Sequence, residues 1–440
     1  MLEQDDKKDD GRLWLIMVPH VLVGEMVKVR IFRNMRNFSE ADLVQVIEPS
    51  PHRVQPQCPL SGICGGCQYQ HMSIDAQREW KTSHVLEGLM QQNIQGYRPK
   101  EDGEASLLQS KLHPTLGTLE IYGYRSKLTP HYKGIQETAP DQYEMGEIGF
   151  QQSTNSKLVD VPRCPIATPA INDVYQQTRQ RLHEEARQGL IIPKKQKRKR
   201  RGNRGGETGA TLLFRQADDD EQGNPVVVTD PNQYMMTTVR GIKFRYLAGN
   251  FFQNNNHVLP LMVEAILEAA TKPTAIGESL SYLIDCYCGS GLFALSAASV
   301  MDVCVGIEVN ERAVDEATAN AGLNHITNCQ FVAASAEAIF TSPPALTVGS
   351  IQHVDDFPRD KTVVVLDPPR KGCSAAFLQQ LYKYGPQRIV YMSCGPATQA
   401  RDAKGICEIG NYEISSIQPF DLFPQTKHVE CLIVFEKRKA

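Results

Sequence analysis

The 440-residue chain has no excess of basic charge: 47 Lys and Arg face 50 Asp and Glu, for a formal net charge of -3. That balance excludes a uniformly basic surface, so contact with a polyanion has to come from local clusters. Features of a secretory signal are scarce too: Met1 to Asp10 is acidic and polar, with neither a basic start nor an apolar centre, so secretion is not expected. No stretch qualifies as a membrane span. The most apolar long segment, Leu283 to Val309, carries Asp285, Asp302, Glu308 and several glycines, which predicts buried strand, loop and helix. Internal repeats are lacking, as are low-complexity tracts beyond one basic run. An intracellular, soluble chain with no membrane association is expected. In that setting its 12 cysteines read as metal ligands, catalytic thiols or small core residues rather than a disulfide framework.

What is present is the composition of a globular protein, 41% hydrophobic and 22% charged, at a length that predicts two or three domains. Met26 to Phe32 and Ala41 to Ile47 read as antiparallel strands, and Pro49, Pro51, Pro56 and Pro59 mark a boundary after them. Ile74 to Gln92 has helical apolar spacing, short strands follow from Gly123, and Ala167 to Gln188 reads as a second helix. The run Lys194, Lys195, Lys197, Arg198, Lys199, Arg200, Arg201, Arg204 is either a solvated surface insertion or a phosphate-binding or nuclear-localisation segment. From Tyr282 onward apolar strands alternate with helices, which predicts a parallel α/β sheet. The expected division is therefore a small β unit over 1–56, a central mixed α+β unit over 57–245, and an α/β unit over 246–440.

Asp285-Cys-Tyr-Cys-Gly-Ser-Gly291 follows one of these strands and precedes a helix, and its glycines permit the tight turn that a bound adenosyl group needs. Glu308 ends the next strand, where an acidic residue commonly holds ribose hydroxyls. Thr362 to Leu366 is a buried strand that runs into Asp367-Pro-Pro-Arg370, a rigid loop at the same edge of the sheet.

Cys394 follows the apolar strand Arg388 to Met392 and precedes a predicted helix, whose N-terminal dipole would favour thiolate. It is the candidate nucleophile. Glu430, where the polar turn Phe423 to Val429 enters the apolar strand Leu432 to Phe435, is the candidate general base, with His428 as its rival. Cys58, Cys64 and Cys67 form Cys-x5-Cys-Gly-Gly-Cys, and Cys164, flanked by prolines, offers a fourth soft ligand. Four thiolates suit either zinc or an iron-sulfur cluster, and their spacing does not separate the two.

Taken together these segments resemble the RNA 5-methyluridine (uracil-5-) methyltransferase family. The resemblance rests on Phe251-Phe252-Gln253-Asn254-Asn255, on Asp367-Pro-Pro-Arg370, on Ser393 to Asp402, and on the ending Phe423-Pro-Gln-Thr-Lys-His-Val-Glu430. It implies a Rossmann-like S-adenosyl-L-methionine-dependent methyltransferase domain, in which Gln253, Tyr287, Glu308 and Asp367 bind the methyl donor and Ser335 is a further contact. It implies that Cys394 adds to carbon 6 of a uridine and Glu430 removes the carbon-5 proton, on a tRNA or rRNA substrate and with no obligate protein partner. Among cluster-bearing members the cysteines, followed by Gln68-Tyr-Gln-His71, hold a [4Fe-4S] centre. Val21 to Pro51 resembles the TRAM RNA-binding β-barrel without its first strand, which predicts a shortened barrel, and Tyr124-Arg-Ser-Lys127 and Ile148-Gly-Phe150 resemble the central RNA-binding domain. Gly395 and Leu292 depart from the pattern, standing where Asn and a polar residue are usual. An amino-group methyltransferase would place an aromatic after the prolines, and a 5-methylcytosine enzyme a cysteine directly after the proline of that loop; Arg370 disfavours both. A non-catalytic RNA-binding relative would be expected to lack Cys394 or Glu430.

Overall fold

The computed structural model describes residues 14–97, 107–191, 210–274, 277–340, 345–348 and 351–438. The basic run 194–204 lies outside them.

The amino-terminal strands β1 (Leu15–Met17), β2 (Met26–Asn34) and β3 (Phe38–Glu48) form one sheet in the order β1-β3-β2. β2 and β3 pair antiparallel as their sequences predict, and β1 is a parallel addition that the sequence did not reveal. After the prolines, helix α1 (Ile74–Gln91) buries a stripe at intervals of four, namely Gln77, Lys81, Val85 and Leu89. Such spacing keeps residues on one helical face. Its apolar half packs in the same core as the carboxy-terminal sheet. Helix α2 (Pro169–Arg187) starts where the Thr168 side chain accepts a hydrogen bond from the Ile171 N–H, with proline in the first turn. Against α2 packs the short strand β4 (Phe214–Gln216), paired with Lys127–Leu128 and Val227–Val228. A hairpin of β5 (Tyr234–Val239) and β6 (Ile242–Leu247) leads to helix α3 (Leu259–Thr271).

The carboxy-terminal layer alternates β7 (Tyr282–Cys286), α4 (Leu292–Ala297), β8 (Val303–Glu308), α5 (Glu311–Leu323) and β9 (Cys329–Ala333). It continues through β10 (Thr362–Leu366), α6 (Ala375–Tyr384), β11 (Arg388–Ser393), α7 (Pro396–Glu408), β12 (Tyr412–Phe420) and β13 (Glu430–Lys437). The seven strands lie in the order β9-β8-β7-β10-β11-β13-β12. β7 to β11 pair parallel, and β10 is buried at every residue, as expected of strands covered on both faces. One correction is needed: β13 runs antiparallel to both β11 and β12, so the sheet is mixed at that edge rather than parallel throughout. The reversal brings the start of β13 to the same edge as the end of β11, with Ser393 paired to Cys431. Among the described residues no helix is long and apolar enough to cross a membrane.

Candidate active site

Six of the seven predicted cofactor-binding and catalytic residues follow the strand order along one sheet edge. Ser335 follows β9, Glu308 ends β8, Tyr287 follows β7, Asp367 follows β10, Cys394 follows β11, and Glu430 opens β13. In α/β sheets of this kind ligands bind outside the carboxyl ends of the strands. Gln253 approaches from the segment before α3 and is buried.

The turn after β7 is tight. Tyr287 adopts φ 67° and Gly291 φ 88°, and a β-carbon at Gly291 would sit 2.8 Å from the Phe331 ring, so only glycine fits that position. Glu308 accepts from the backbone N–H groups of Gly289 (3.2 Å) and Asn310 (2.9 Å), which fixes its carboxylate beside the turn. Ser335 caps a short helical turn and hydrogen-bonds Glu337 at 2.6 Å. Asp285 is wholly buried: one oxygen accepts from the Ala294 N–H, and the other has no partner among the described residues. Its carboxyl is held well above the ordinary range by burial, with the Asp367 and Glu308 carboxylates adding to the effect. Burial pushes Asp367 up to about 7. Crowded carboxyls with an orphaned acceptor fit a cationic ligand with hydrogen-bond donors, which S-adenosylmethionine is.

At the neighbouring strands Cys394 is half-buried and Glu430 buried. The Cys394 thiol is raised by burial and then by the Glu430 carboxylate, while a hydrogen bond from Arg370 and its charge pull the other way. Burial thus acts against the thiolate-favouring effect expected of the α7 dipole. Glu430 is raised well above the ordinary range by burial and by Asp367, and lowered by Arg370. Gly395 has a local reason: a β-carbon there would meet Thr398 Oγ1 at 2.8 Å and the Arg370 carbonyl oxygen at 3.1 Å. Thr398 donates its hydroxyl towards that carbonyl at 2.9 Å, so the Arg370 loop occupies the space an Asn side chain would need.

A cavity of about 470 Å³ joins this chemistry to the cysteines. Arg370, Phe423, His428, Phe251 and Asn254 line it, together with Cys58, Cys64, Cys67 and Cys164. The clustered Cys58, Cys64 and Cys67 and the sequence-distant Cys164 are therefore brought to one hollow. Burial pushes the Cys67 thiol up to about 12, and Cys164, Cys64 and Cys58 add to the rise. Gly65 lets the loop close: a β-carbon there would meet the Gln151 carbonyl oxygen at 3.1 Å. Among the described residues no three His, Cys, Asp or Glu side chains are gathered as a ready-made site for a metal ion.

Several contacts that hold these segments together were not legible in the sequence, although Gln68, Tyr69 and Gln425 lie in segments that carry the resemblance. The N–H groups of Gln68 and Tyr69 donate to the Gln425 carbonyl at 3.1 and 3.0 Å, tying the cysteine loop to the turn that carries His428 and Glu430. Gln77 and Gln425 hydrogen-bond each other through side chain and backbone. Lys81 reaches Asp421 and the Phe423 carbonyl at the start of that turn. The one legible signal was the presence of Gln77 and Lys81 in an otherwise apolar helical stripe.

The family model for tRNA (uracil-5-)-methyltransferase matches residues 229–438. The tRNA (uracil(54)-C(5))-methyltransferase of Schizosaccharomyces pombe is 35% identical, over 96% of this chain and 74% of that protein. The Saccharomyces cerevisiae protein of the same name is 28% identical over 98% of this chain and 71% of its own length. The solved structure of Pyrococcus abyssi tRNA (uracil-54, C5)-methyltransferase with S-adenosyl-L-homocysteine superposes with a TM-score of 0.62, covering 96% of this chain and 95% of that one at 21% identity, which shows a shared α/β methyltransferase fold. On these relationships the chain belongs to the tRNA (uracil-5-)-methyltransferase family of enzymes.

Proposed function

We propose that this protein methylates carbon 5 of a uridine in tRNA, with uridine 54 as the target suggested by the names of its yeast relatives. The observation that carries the chemistry is the juxtaposition of Cys394 and Glu430 on the paired ends of β11 and β13, with Arg370 acting on both. Carbon 5 of uracil is a poor nucleophile until a thiolate adds to carbon 6. In the proposed sequence Cys394 Sγ forms a bond to carbon 6, and the displaced electron pair makes carbon 5 an enolate carbon. Carbon 5 takes the electrophilic methyl group that S-adenosylmethionine, when bound, supplies, and S-adenosyl-L-homocysteine is the leaving group. Glu430 then takes the carbon-5 proton, the carbon 5–carbon 6 double bond re-forms, and the Sγ–carbon 6 bond breaks to return the thiolate. Arg370 favours the charged forms of both groups that must lose protons. His428 lies on the cavity wall, with its imidazole held below the ordinary range by burial and by Arg370.

For the methyl donor, Gln253, Tyr287, Glu308, Ser335 and Asp367 are the proposed contacts. The orphaned Asp285 oxygen and the S-adenosyl-L-homocysteine in the Pyrococcus structure support this reading. For the cysteines, the resemblance favours a [4Fe-4S] centre over zinc, and the four soft donors that line one hollow are its proposed ligands. Methyl transfer is redox-neutral, so the centre's proposed part is to shape the RNA-facing lobe and the turn it supports. That lobe, with the amino-terminal TRAM-like sheet, is the proposed RNA-binding surface and leaves 246–440 as the methyltransferase domain.

The test is methyl transfer to an unmodified tRNA transcript with labelled S-adenosylmethionine, followed by mass spectrometry of the nucleosides. 5-Methyluridine is expected. Formation of 5-methylcytidine, or no transfer by the metal-loaded protein, would overturn the proposal.

A further inference from the structure

Arg215 is among the largest fully buried side chains of the molecule. It lies on β4, in the central lobe, yet its guanidinium leaves that lobe to grip the chain just ahead of Gln253. Nη1 donates to the carbonyl oxygens of Ala248 (3.1 Å) and Asn250 (2.6 Å), and Nη2 to that of Phe252 (3.0 Å). The guanidinium also lies 4.8 Å from the centre of the Tyr246 ring, which itself stacks on Phe252 at 4.4 Å. Three alternate carbonyls on one rigid fork fix the turn at residues 248–250 and the two residues that follow it. A second hold on the run comes from the methyltransferase side. Glu316 of α5 accepts from the Leu247 N–H (3.2 Å), from the Asn250 side-chain amide (2.8 Å) and from the Ser290 hydroxyl (3.1 Å) of the glycine turn. The run therefore lies between two charged grips; Phe251 within it is 76% exposed and lines the cavity, and the buried Gln253 follows it directly in the chain.

We propose that Arg215 is a positioning residue for methyl-donor binding: by holding residues 248–252 against Glu316 it sets Gln253 and the Ser290 turn at the spacing the donor requires. The central lobe thereby takes part in a site it does not touch. This rests on the reading of Gln253 as a donor contact. Lysine does not substitute fully, because an ammonium lacks the planar fork that serves three carbonyls and lies on an aromatic face.

The experiment compares Arg215→Met, Arg215→Lys, Gln253→Ala and Arg388→Met in the metal-loaded full-length protein, by steady-state kinetics with tRNA transcript and by thermal unfolding. Arg388 is the control because it too is a buried arginine bonded to carbonyls, those of Ala269 and Lys272. Arg215→Met should raise KM for S-adenosylmethionine roughly tenfold or more with kcat changed much less. Arg215→Lys should lie between it and the wild type, and Arg388→Met should lower the unfolding temperature without moving KM. An unchanged KM in folded Arg215→Met, or an equal rise in Arg388→Met, overturns the proposal. If Gln253→Ala leaves KM unmoved, it is the reading of Gln253 that fails. Should Arg215→Met not fold, hydrogen exchange of the wild type decides. S-adenosyl-L-homocysteine should slow exchange in residues 213–216 together with 248–252, and protection confined to 248–252 and 285–291 contradicts the coupling.

Discussion

Lys81 and Asp421 form an ion pair in which both side chains are completely buried, one on the helix that follows the cysteine loop and the other at the end of β12. The pair fastens α1 to the turn that leads to Glu430. Its lysine is lowered by burial, with Asp421 acting to restore the charge. Breaking a buried pair from one side strands the other charge, at a cost of about 3 kcal/mol or more, although Arg78, 3.4 Å from Asp421, softens the loss here. Lys81→Met should therefore unfold at clearly lower urea concentration than the wild type, and adding Asp421→Asn should recover part of the difference. Equal midpoints for wild type and Lys81→Met would contradict this.

The pH dependence of turnover follows from two raised groups. Cys394 and Glu430 both sit above their ordinary values, and each acts in its deprotonated form. Activity should therefore rise with pH as they ionise and then level, with no falling limb from either. Arg370→Met removes the charge that favours both ionised forms, so the rising limb should move to higher pH and the rate at neutral pH should drop by roughly tenfold or more. A pH–rate profile superimposable on the wild type's would show that Arg370 does not act on these groups.

Protein purified without oxygen should be brown and carry about four irons and four sulfides per chain, because four thiolates around one hollow suit a cluster. Cys67→Ser should lower both contents. Because the cysteine loop also holds Gln425, the same variant should speed hydrogen exchange in residues 423–428. Stoichiometric zinc without iron would contradict the assignment.

Most of the sheet edge was legible because its strands are unbroken apolar runs that end in chemically marked residues, as Thr362 to Leu366 does at Asp367. The direction of β13 was not legible, since an apolar run looks the same in either direction. That reversal is what brings Glu430 beside Cys394. The shared hollow of Cys58, Cys64, Cys67 and Cys164 followed from residue type, but its opening onto Arg370 and His428 did not. Lys81 and Arg215 were missed for one physical reason: charged side chains are normally exposed, and their burial depends on acceptors supplied from segments far away in sequence.

The order of the chemical steps provides the most direct test of the account, because Cys394 acts before methyl transfer and Glu430 after it. With labelled S-adenosylmethionine and tRNA transcript, Glu430→Gln should accumulate a methyl-labelled protein–RNA adduct that survives denaturing electrophoresis, since attack and methylation proceed while the carbon-5 proton stays in place. Cys394→Ala should give neither adduct nor product, and His428→Asn should still turn over. Normal turnover by Glu430→Gln, or a labelled adduct from Cys394→Ala, would contradict the assigned roles.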